Sequence, residues 1–62
     1  MKKIKAKYIA DVRNSDLKKG EIYDNLFRPI DDTKKRFIGY VDKYGEEYAL
    51  PSSYFEVIYE EE

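Results

Sequence analysis

The chain has 62 residues, enough for one small domain, and it contains neither cysteine nor histidine. Disulfides and the usual zinc, copper and haem sites are therefore excluded, and we expect no cofactor. Most of the stability must then come from burial of apolar side chains. The net charge is −1 and no apolar run approaches the ~20 residues of a membrane span, which favours a cytoplasmic protein without a membrane partner.

The first strand is predicted over residues 3–12, because apolar and polar side chains alternate there. The apolar face carries Ile4, Ala6, Tyr8, Ala10 and Val12. The opposite face carries Lys3, Lys5, Lys7, Ile9 and Asp11. We expect this lysine-rich strand to lie beside the last strand and the acidic residues 60–62. Such exposed charge pairs should contribute only about a few tenths of a kcal/mol.

Two turns and a second strand are predicted over residues 13–27. Residues 13–16 are polar and form the first turn, and residues 18–21 form the second, in which Gly20 is suited to a positive φ angle. The second strand follows, but its apolar residues do not alternate strictly. Either a bulge near Asp24 and Asn25 or a bend of the strand between two sheets would resolve this conflict.

Three more strands are predicted over residues 36–41, 46–50 and 54–59. The first two form a hairpin, whose short turn requires one left-handed residue, and Gly45 is suited to that position. Pro51 has no amide hydrogen and therefore ends the fourth strand, and the serines that follow it favour a tight turn. No stretch of the chain has the apolar periodicity of an α-helix.

Short strands separated by turn signals are typical of a small antiparallel barrel or sandwich. We therefore predict an all-β fold of five strands, forming a single domain over residues 1–62. Its core should combine residues from every strand with one from the loop after the first strand. The predicted core comprises Ala6, Leu17, Ile22, Leu26, Ile38, Val41, Leu50, Phe55 and Val57.

Three segments resemble the Src homology 3 (SH3) family, in the right order along the chain. Residues 17–21 (Leu-Lys-Lys-Gly-Glu) resemble its diverging turn, and residues 39–45 correspond to its distal hairpin. Residues 50–55 (Leu-Pro-Ser-Ser-Tyr-Phe) match its apolar-Pro-Ser-x-Tyr-apolar segment, the most specific of these similarities. The resemblance implies a small five-stranded antiparallel SH3-like barrel with a 3₁₀ turn before the last strand.

The same resemblance implies a site for a protein or peptide. In the family, a first-strand tyrosine, a tryptophan and the proline and tyrosine of the 3₁₀ turn line a groove for proline-rich peptides. Pro51 and Tyr54 match two of these positions, and Tyr8 or Ala10 takes the first-strand position, depending on where the gap is put. The chain resembles a divergent member, because it has no tryptophan. The implied partner-binding residues are Tyr8, Phe37, Pro51 and Tyr54, with poor affinity expected for a generic proline-rich peptide.

Other functions receive less support from the residues. Catalysis by a nucleophile and a base would lack histidine and cysteine, and the acidic pairs at 31–32 and 46–47 lie in predicted turns. Nucleic acid is the main alternative partner, bound by a basic face beside Tyr8. That face would comprise Lys3, Lys5, Lys7, Lys34, Lys35 and Arg36. The slight excess of acidic residues weighs against it, because a phosphate backbone favours a basic surface.

Tyrosine is the commonest aromatic residue, and five of the seven tyrosines lie in the C-terminal half. They are Tyr40, Tyr44, Tyr48, Tyr54 and Tyr59. A barrel of this size cannot bury all of them, and tyrosine is enriched at interfaces because it offers a large, rigid surface with a polar tip. We expect at least two of them to contact a partner, in a non-catalytic binding module that is a monomer or a weak homo-oligomer.

Overall fold

The computed structural model describes residues 2–13 and 16–61 and confirms the all-β class. These ranges contain five strands and one 3₁₀ turn before the last strand, and no α-helix. The strands are β1 (Lys2–Tyr8), β2 (Ile22–Arg28), β3 (Phe37–Val41), β4 (Glu47–Pro51) and β5 (Phe55–Glu60), and the 3₁₀ turn spans Ser52–Tyr54. The predicted turn at residues 13–16 includes Asn14 and Ser15, which lie outside the described residues, as does Glu62 of the acidic tail.

All five strands belong to one antiparallel sheet in the order β4-β3-β2-β1-β5. The first four strands form a meander, because each pairs with its neighbour in the sequence. The 3₁₀ turn then carries the chain across to the other edge, where β5 pairs with β1. In the part of the chain that the structure describes, β4 and β5 are the edges and the sheet is not closed. This arrangement is compatible with an SH3-like small barrel.

The bulge predicted in β2 is confirmed. Ile4 pairs with Leu26 and Ala6 pairs with Tyr23, so β2 advances by three residues where β1 advances by two. The extra residue lies at positions 24–25, and it allows both Leu26 and Tyr23 to face the core. A second irregularity, which the sequence pattern does not predict, lies in β5 between its pairings with Lys5 and Ala6.

One face of the sheet packs around β1, which lies between β2 and β5 and contributes three buried residues. Five predicted core residues are buried: Ala6, Leu17, Leu26, Ile38 and Phe55. Leu50 is half-buried against them. The remaining core residues are Ile4, Tyr8 and Tyr40. Two of these three residues, Tyr8 and Tyr40, are tyrosines, so tyrosine side chains fill part of the core as well as part of the surface.

The prediction of a core position is wrong for three residues, which are exposed: Ile22, Val41 and Val57. Val41 follows the buried Tyr40, and successive residues of a strand point to opposite faces. Ile22 pairs with Lys7, which lies on the outer face of β1. Val57 pairs with Ala6 and so faces inward, but β5 is an edge strand and leaves this side chain open to solvent.

The turn between β3 and β4 is held by Gly45 and Asp42. Gly45 has a φ of 83°, and Gly20 in the earlier turn has a φ of 90°, so both predicted left-handed glycines are confirmed. The Gly45 N–H donates to the Asp42 carbonyl (3.1 Å), and the Asp42 N–H donates to the Glu46 carbonyl (2.9 Å). The Asp42 carboxylate also accepts the N–H groups of Tyr44 (2.8 Å) and Glu46 (2.9 Å). Backbone and side chain together therefore fix the hairpin.

Arg28 is a buried charged residue that connects four elements, with 8% of its surface exposed. Its guanidinium donates to the Glu60 carboxylate from Nε (3.1 Å) and Nη2 (2.9 Å). Nη1 donates to the Phe37 carbonyl (2.7 Å) and to Oγ of Ser52 (3.2 Å). This side chain therefore joins β2 to β3, to β5 and to the 3₁₀ turn, which links the edge strand β5 to the turn that follows the other edge strand, β4.

The acidic tail takes part in this network. The predicted proximity of the first and last strands is confirmed, since Ile4 pairs with Glu60 and the Glu61 N–H donates to the Lys3 carbonyl (2.9 Å). The expectation that the tail only balances surface charge is wrong for Glu60, because Arg28 binds its carboxylate through two hydrogen bonds. These hydrogen bonds lower the pKa of Glu60, and they outweigh the desolvation that raises it.

Asp32 faces the same guanidinium from the loop between β2 and β3. Its carboxylate accepts the N–H groups of Arg36 (3.0 Å) and Phe37 (2.6 Å) and lies 3.8 Å from Nη1 of Arg28. Desolvation raises the pKa of Asp32, but the hydrogen bonds and the positive charges of Arg28 and Arg36 lower it more, so the pKa lies below its usual value. Two ionised carboxylates therefore compensate the buried arginine.

Candidate protein-binding site

Tyr8, which the SH3 resemblance assigns to the binding surface, lies in the core. The residue is 1% exposed, and its hydroxyl donates to the Val12 carbonyl at 3.0 Å. Its ring packs edge-on against Phe55, with centroids 5.4 Å apart, and against Tyr54 at 6.4 Å. Burial raises the pKa of Tyr8, and the neighbouring Tyr54 and Tyr40 raise it further. Tyr8 therefore supports Tyr54 from beneath and offers a partner almost no surface of its own.

The other three residues of the predicted site lie on different faces. Tyr54, in the 3₁₀ turn, is half-buried and packs against the core. Phe37 and Pro51 are paired across β3 and β4, and both are exposed. Phe37 precedes the buried Ile38, so its side chain lies on the outer face of the sheet. The structure pairs Phe37 with Pro51 and packs Tyr54 against Tyr8, whereas Phe37 and Tyr8 lie on opposite faces of the sheet.

The lysines of β1 lie on the face opposite to Tyr8. Lys5 and Lys7 alternate with buried residues of β1, so they point outward while Tyr8 points into the core. Their neighbours on β5 are Tyr59, which pairs with Lys5, and Glu56, which pairs with Lys7. The nucleic-acid hypothesis places Tyr8 within a basic face, and the structure does not bring these residues together.

A groove of about 660 Å³ lies beside the β3–β4 hairpin, and we name it the tyrosine groove. Its lining includes four tyrosines, two aspartates and one lysine, which come from three strands, the hairpin turn and the loop before β2. They are Tyr23, Tyr40, Tyr44, Tyr48, Asp16, Asp42 and Lys43. The groove therefore combines aromatic surface with charge at a concave site, and it contains none of the four residues that the SH3 resemblance assigns.

Pairing of β3 with β4 brings the tyrosines of the groove together. Tyr40 and Tyr48 are directly opposite, and their rings stack with centroids 5.3 Å apart at an angle of 25°. Tyr40 is buried, whereas Tyr48 is 44% exposed and Tyr44, at the hairpin tip, is 80% exposed. Tyr23 is half-buried on β2, and its hydroxyl accepts the Lys18 N–H at 2.8 Å. The groove thus has an ordered aromatic base and an exposed aromatic rim.

Hydrogen bonds connect these tyrosines to the two carboxylates. The Tyr40 hydroxyl donates to Oδ2 of Asp16 at 3.3 Å, and the Tyr48 hydroxyl donates to Asp42. Desolvation raises the pKa of Asp42, but the N–H groups of Glu46 and Tyr44 and the Tyr48 hydroxyl lower it more, so the pKa lies below its usual value. The charge of Asp42 and its hydrogen bond raise the pKa of Tyr48. Asp42 therefore stays ionised and Tyr48 stays neutral.

Among the lining residues that the structure describes, Lys43 is the one cation. Its Nζ lies 5.2 Å from the centroid of the Tyr44 ring. Two aspartates against one lysine leave the lining with one net negative charge. A groove of this composition can accept an apolar or cationic side chain from a partner, and it repels an anionic one.

The sequence contains a signal for this groove that the SH3 resemblance does not use. Tyr40 and Tyr48 lie at equal distances on either side of Tyr44. In a hairpin whose loop is residues 43–45, residue 42 opposes residue 46, so residues 40 and 48 face each other on one side of the sheet. The expectation that at least two C-terminal tyrosines contact a partner stays a prediction, and these three surround a concave surface.

Residues 2–13 and 16–61 contain no group of three or more acidic, histidine or cysteine side chains that could hold a metal ion. Across the same ranges, no helix has the length and apolar character needed to cross a membrane. The cytoplasmic location expected from the sequence stays a prediction.

Comparison with known proteins identifies no family for this chain. No protein-family model matches the sequence, and neither a curated protein nor a solved structure matches it significantly. Function is therefore inferred from the fold and from the chemistry of the tyrosine groove.

Proposed function

We propose that this chain is a non-catalytic module that binds a protein or peptide through the tyrosine groove. One observation carries the proposal: the exposed rings of Tyr44 and Tyr48 line a concave site together with the carboxylates of Asp16 and Asp42. Tyrosine gives a partner a large, rigid contact area and loses little side-chain entropy when it is covered. Rigid aromatic surface with polar tips is what protein interfaces are enriched in.

We further infer that the sheet is a divergent small barrel of the SH3 type. The strand order, the 3₁₀ turn between β4 and β5 and the left-handed Gly45 support this inference. The Arg28 network supports it too, because it connects the edge strand β5 to β3 and to the 3₁₀ turn. In a scaffold of this kind, hairpin turns and loops carry binding residues on a rigid support. The tyrosine groove lies at such a turn.

A second candidate surface keeps the residues that the SH3 resemblance assigns. Phe37 is 45% exposed and adjoins Pro51 on the outer face, and Tyr54 follows in the 3₁₀ turn. Phe37 also lines a smaller groove of about 330 Å³. Tyr8 contributes to this surface only by packing beneath Tyr54. An apolar pair such as Phe37 and Pro51 suits an apolar side chain of a partner.

Affinity capture with matched variants tests the proposal. The wild-type chain and the variants Tyr48→Ala, Tyr54→Ala and Tyr59→Ala are immobilised and exposed to nuclease-treated lysate of the source cell. Captured proteins are identified by mass spectrometry, and a proton–nitrogen correlation spectrum verifies that each variant is folded. Tyr59 is an exposed tyrosine on the edge strand β5 and does not line the tyrosine groove, so it serves as the control.

We expect a defined set of proteins that the wild type and Tyr59→Ala retain and that Tyr48→Ala loses. Loss of that set in Tyr54→Ala but not in Tyr48→Ala would move the site to the second candidate surface. Retention of the same proteins by every folded variant would contradict a tyrosine-dependent site. Capture that occurs only in lysate without nuclease would favour a nucleic-acid partner instead.

A further inference from the structure

We propose that the tyrosine groove binds a cationic side chain, lysine or arginine, presented by the partner. This inference rests on the proposed function and specifies the chemistry that the site selects. Its basis is the combination of open aromatic rings with carboxylates around one concavity. An apolar patch without charge, or an acidic surface without rings, would not support the same conclusion.

The aromatic part of the site is arranged to attract a cation. A positive charge is drawn to the electron-rich face of a tyrosine ring, and the contact is strongest where the ring is held in place and partly desolvated. Tyr48 is held by stacking on the buried Tyr40, and 44% of Tyr48 remains exposed. The Tyr40 hydroxyl donates to Asp16 and the Tyr48 hydroxyl donates to Asp42. Each hydrogen bond to a carboxylate increases the electron density of the ring that carries the hydroxyl.

The charged part of the site favours the same ligand. Asp16 is exposed on one side of the groove, and Asp42 lies at the base of the hairpin. Asp42 accepts the two hairpin N–H groups and the Tyr48 hydroxyl, and a carboxylate has about four acceptor positions in all, so about one position remains for a ligand. A neutral side chain would desolvate these carboxylates without compensating their negative charge, whereas an ammonium or guanidinium group would compensate it.

The chain itself contains one contact of this kind. Lys43 places its Nζ 5.2 Å from the Tyr44 ring centroid, inside the ~6 Å range in which cation–π attraction operates. Lys43 is exposed at the hairpin tip, so its flexible side chain can leave the ring at little cost. It therefore acts as an internal competitor of the partner's cation, and its removal should tighten binding.

Titration of the full chain with small probes, followed by proton–nitrogen correlation spectra, tests this inference. The cationic probes are the Nα-acetyl methylamides of arginine and lysine, and the neutral counterparts of similar shape are those of citrulline and norleucine. We expect saturable shifts at the amides of residues 41–48 with the cationic probes, and binding of the neutral probes that is about two- to fivefold weaker or undetectable. Equal binding of the norleucine and lysine probes would overturn the inference.

Variants of the groove carry matched controls elsewhere on the surface. Asp16→Asn keeps the shape of the side chain and removes its charge, and Asp31→Asn removes one charge from the loop between β2 and β3. Binding of the arginine probe should weaken about two- to fivefold in Asp16→Asn and should not change in Asp31→Asn. Equal affinities of the two variants would contradict a role for the groove's charge.

The rings and the internal competitor are tested in the same way. Tyr48→Leu should weaken binding of the arginine probe about two- to fivefold, whereas Tyr59→Leu should leave this binding unchanged. Lys43→Met should tighten binding of the same probe about twofold or more. The reason is that the competing ammonium is removed and the net negative charge of the lining increases. Weaker binding by Lys43→Met would overturn the competitor role.

The results distinguish this inference from the proposed function. If Tyr48→Ala loses the captured proteins while the cationic and neutral probes bind equally, the binding module stands and its preference for a cation falls. If the cationic probes shift amides all over the surface and do so equally in Tyr48→Leu, the contact is unspecific ion pairing and the inference falls. Saturable Tyr48-dependent binding of the arginine probe without any captured protein would overturn the proposed function and support the cation preference.

Discussion

Gly45 holds the β3–β4 hairpin in the form that places Tyr40 opposite Tyr48. Its φ of 83° lies in the left-handed region, where side chains with a Cβ are strained and β-branched ones most of all. No atom lies within 4 Å of the position that a Cβ would take, so the cost of a substitution comes from the backbone conformation alone. The aromatic part of the tyrosine groove therefore depends on one glycine.

Gly45→Val should lower the free energy of unfolding by about 1–2 kcal/mol, because valine tolerates the left-handed region poorly. Gly45→Asn is the matched substitution and should cost less, because asparagine adopts that region more readily. Urea denaturation of the three chains measures both effects. A denaturation midpoint that Gly45→Val leaves unchanged would contradict the turn assignment.

Tyr8 is a core residue, which makes its substitution a test of stability and not of binding. Tyr8→Ala should cost about 3–5 kcal/mol. A domain of this size has about 3–5 kcal/mol in total, so the variant should be largely unfolded by circular dichroism. Tyr8→Phe loses only the hydrogen bond to the Val12 carbonyl and should cost about 1 kcal/mol. A well-folded Tyr8→Ala would mean that this position is surface, as the SH3 resemblance implies.

At the scale of elements, the Arg28 side chain connects strands that the backbone leaves apart. Its partners belong to β3, the 3₁₀ turn and β5, and the most distant of them, Glu60, is 32 positions away in the chain. Removing one partner of a buried ion pair leaves the other charge uncompensated, which costs more than the loss of an exposed pair. The side chain of Glu60 in the acidic tail therefore has a structural role.

Glu60→Ala should lower the free energy of unfolding by about 1–3 kcal/mol, because it removes two charge-assisted hydrogen bonds from Arg28. Glu61→Ala is the matched control, because Glu61 is exposed, and it should change stability by only about a few tenths of a kcal/mol. Thermal or urea denaturation at low and high salt measures both. Equal effects of the two variants, removed together by salt, would contradict the structural role of Glu60.

The elements with local signals could be predicted, and the long-range ion network could not. The β2 bulge followed from a conflict in alternation, and Gly45 followed from the length of the hairpin turn, because each constraint acts within a few residues. Arg28 and Glu60 have no such signal, since any of the many charged residues could have formed an exposed pair. Val41 was misplaced because it lies three positions from Ile38, so the two side chains point to opposite faces of the strand and only Ile38 faces the core.

At the scale of the whole molecule, the carboxylates that organise loops and edges make stability depend on pH. Glu60, Asp32 and Asp42 all have pKa values below their usual ones in the folded chain. Unfolded aspartate and glutamate have pKa values of about 3.9 and 4.3. Between the folded and unfolded values, the unfolded chain therefore binds more protons than the folded chain, and stability rises with pH.

The free energy of unfolding should accordingly be constant between about pH 5 and pH 9, below the titration of the tyrosines, and should fall as the pH drops through the folded pKa values of these carboxylates. Urea denaturation at a series of pH values measures the dependence. Glu60→Gln should reduce the acid-induced loss, because it removes one of the titrating groups from the folded network. A stability that is unchanged between about pH 5 and pH 2 would contradict the lowered pKa values.

The proposed binding site could be predicted only in part from the sequence. The abundance of tyrosine predicts an interface, and the SH3 resemblance assigns part of that interface to Tyr8. In the fold, Tyr54 of the 3₁₀ turn and Phe55 of β5 pack against the Tyr8 ring. The tyrosine groove depends on the register between β3 and β4 and on the position of the loop before β2, and both are set only when the chain folds. Residue types therefore predict an aromatic surface, and the fold shows which tyrosines lie together on a concave part of it.

Photochemically induced nuclear polarisation of the tyrosine rings tests the central claim most directly, because it reports which rings are accessible. In the free chain, Tyr44, Tyr48 and Tyr59 should be polarised, whereas the buried Tyr8 and Tyr40 should not. When a captured partner is bound, the signals of Tyr44 and Tyr48 should disappear and that of Tyr59 should remain. Persistence of the Tyr44 and Tyr48 signals in the complex would contradict binding through the tyrosine groove.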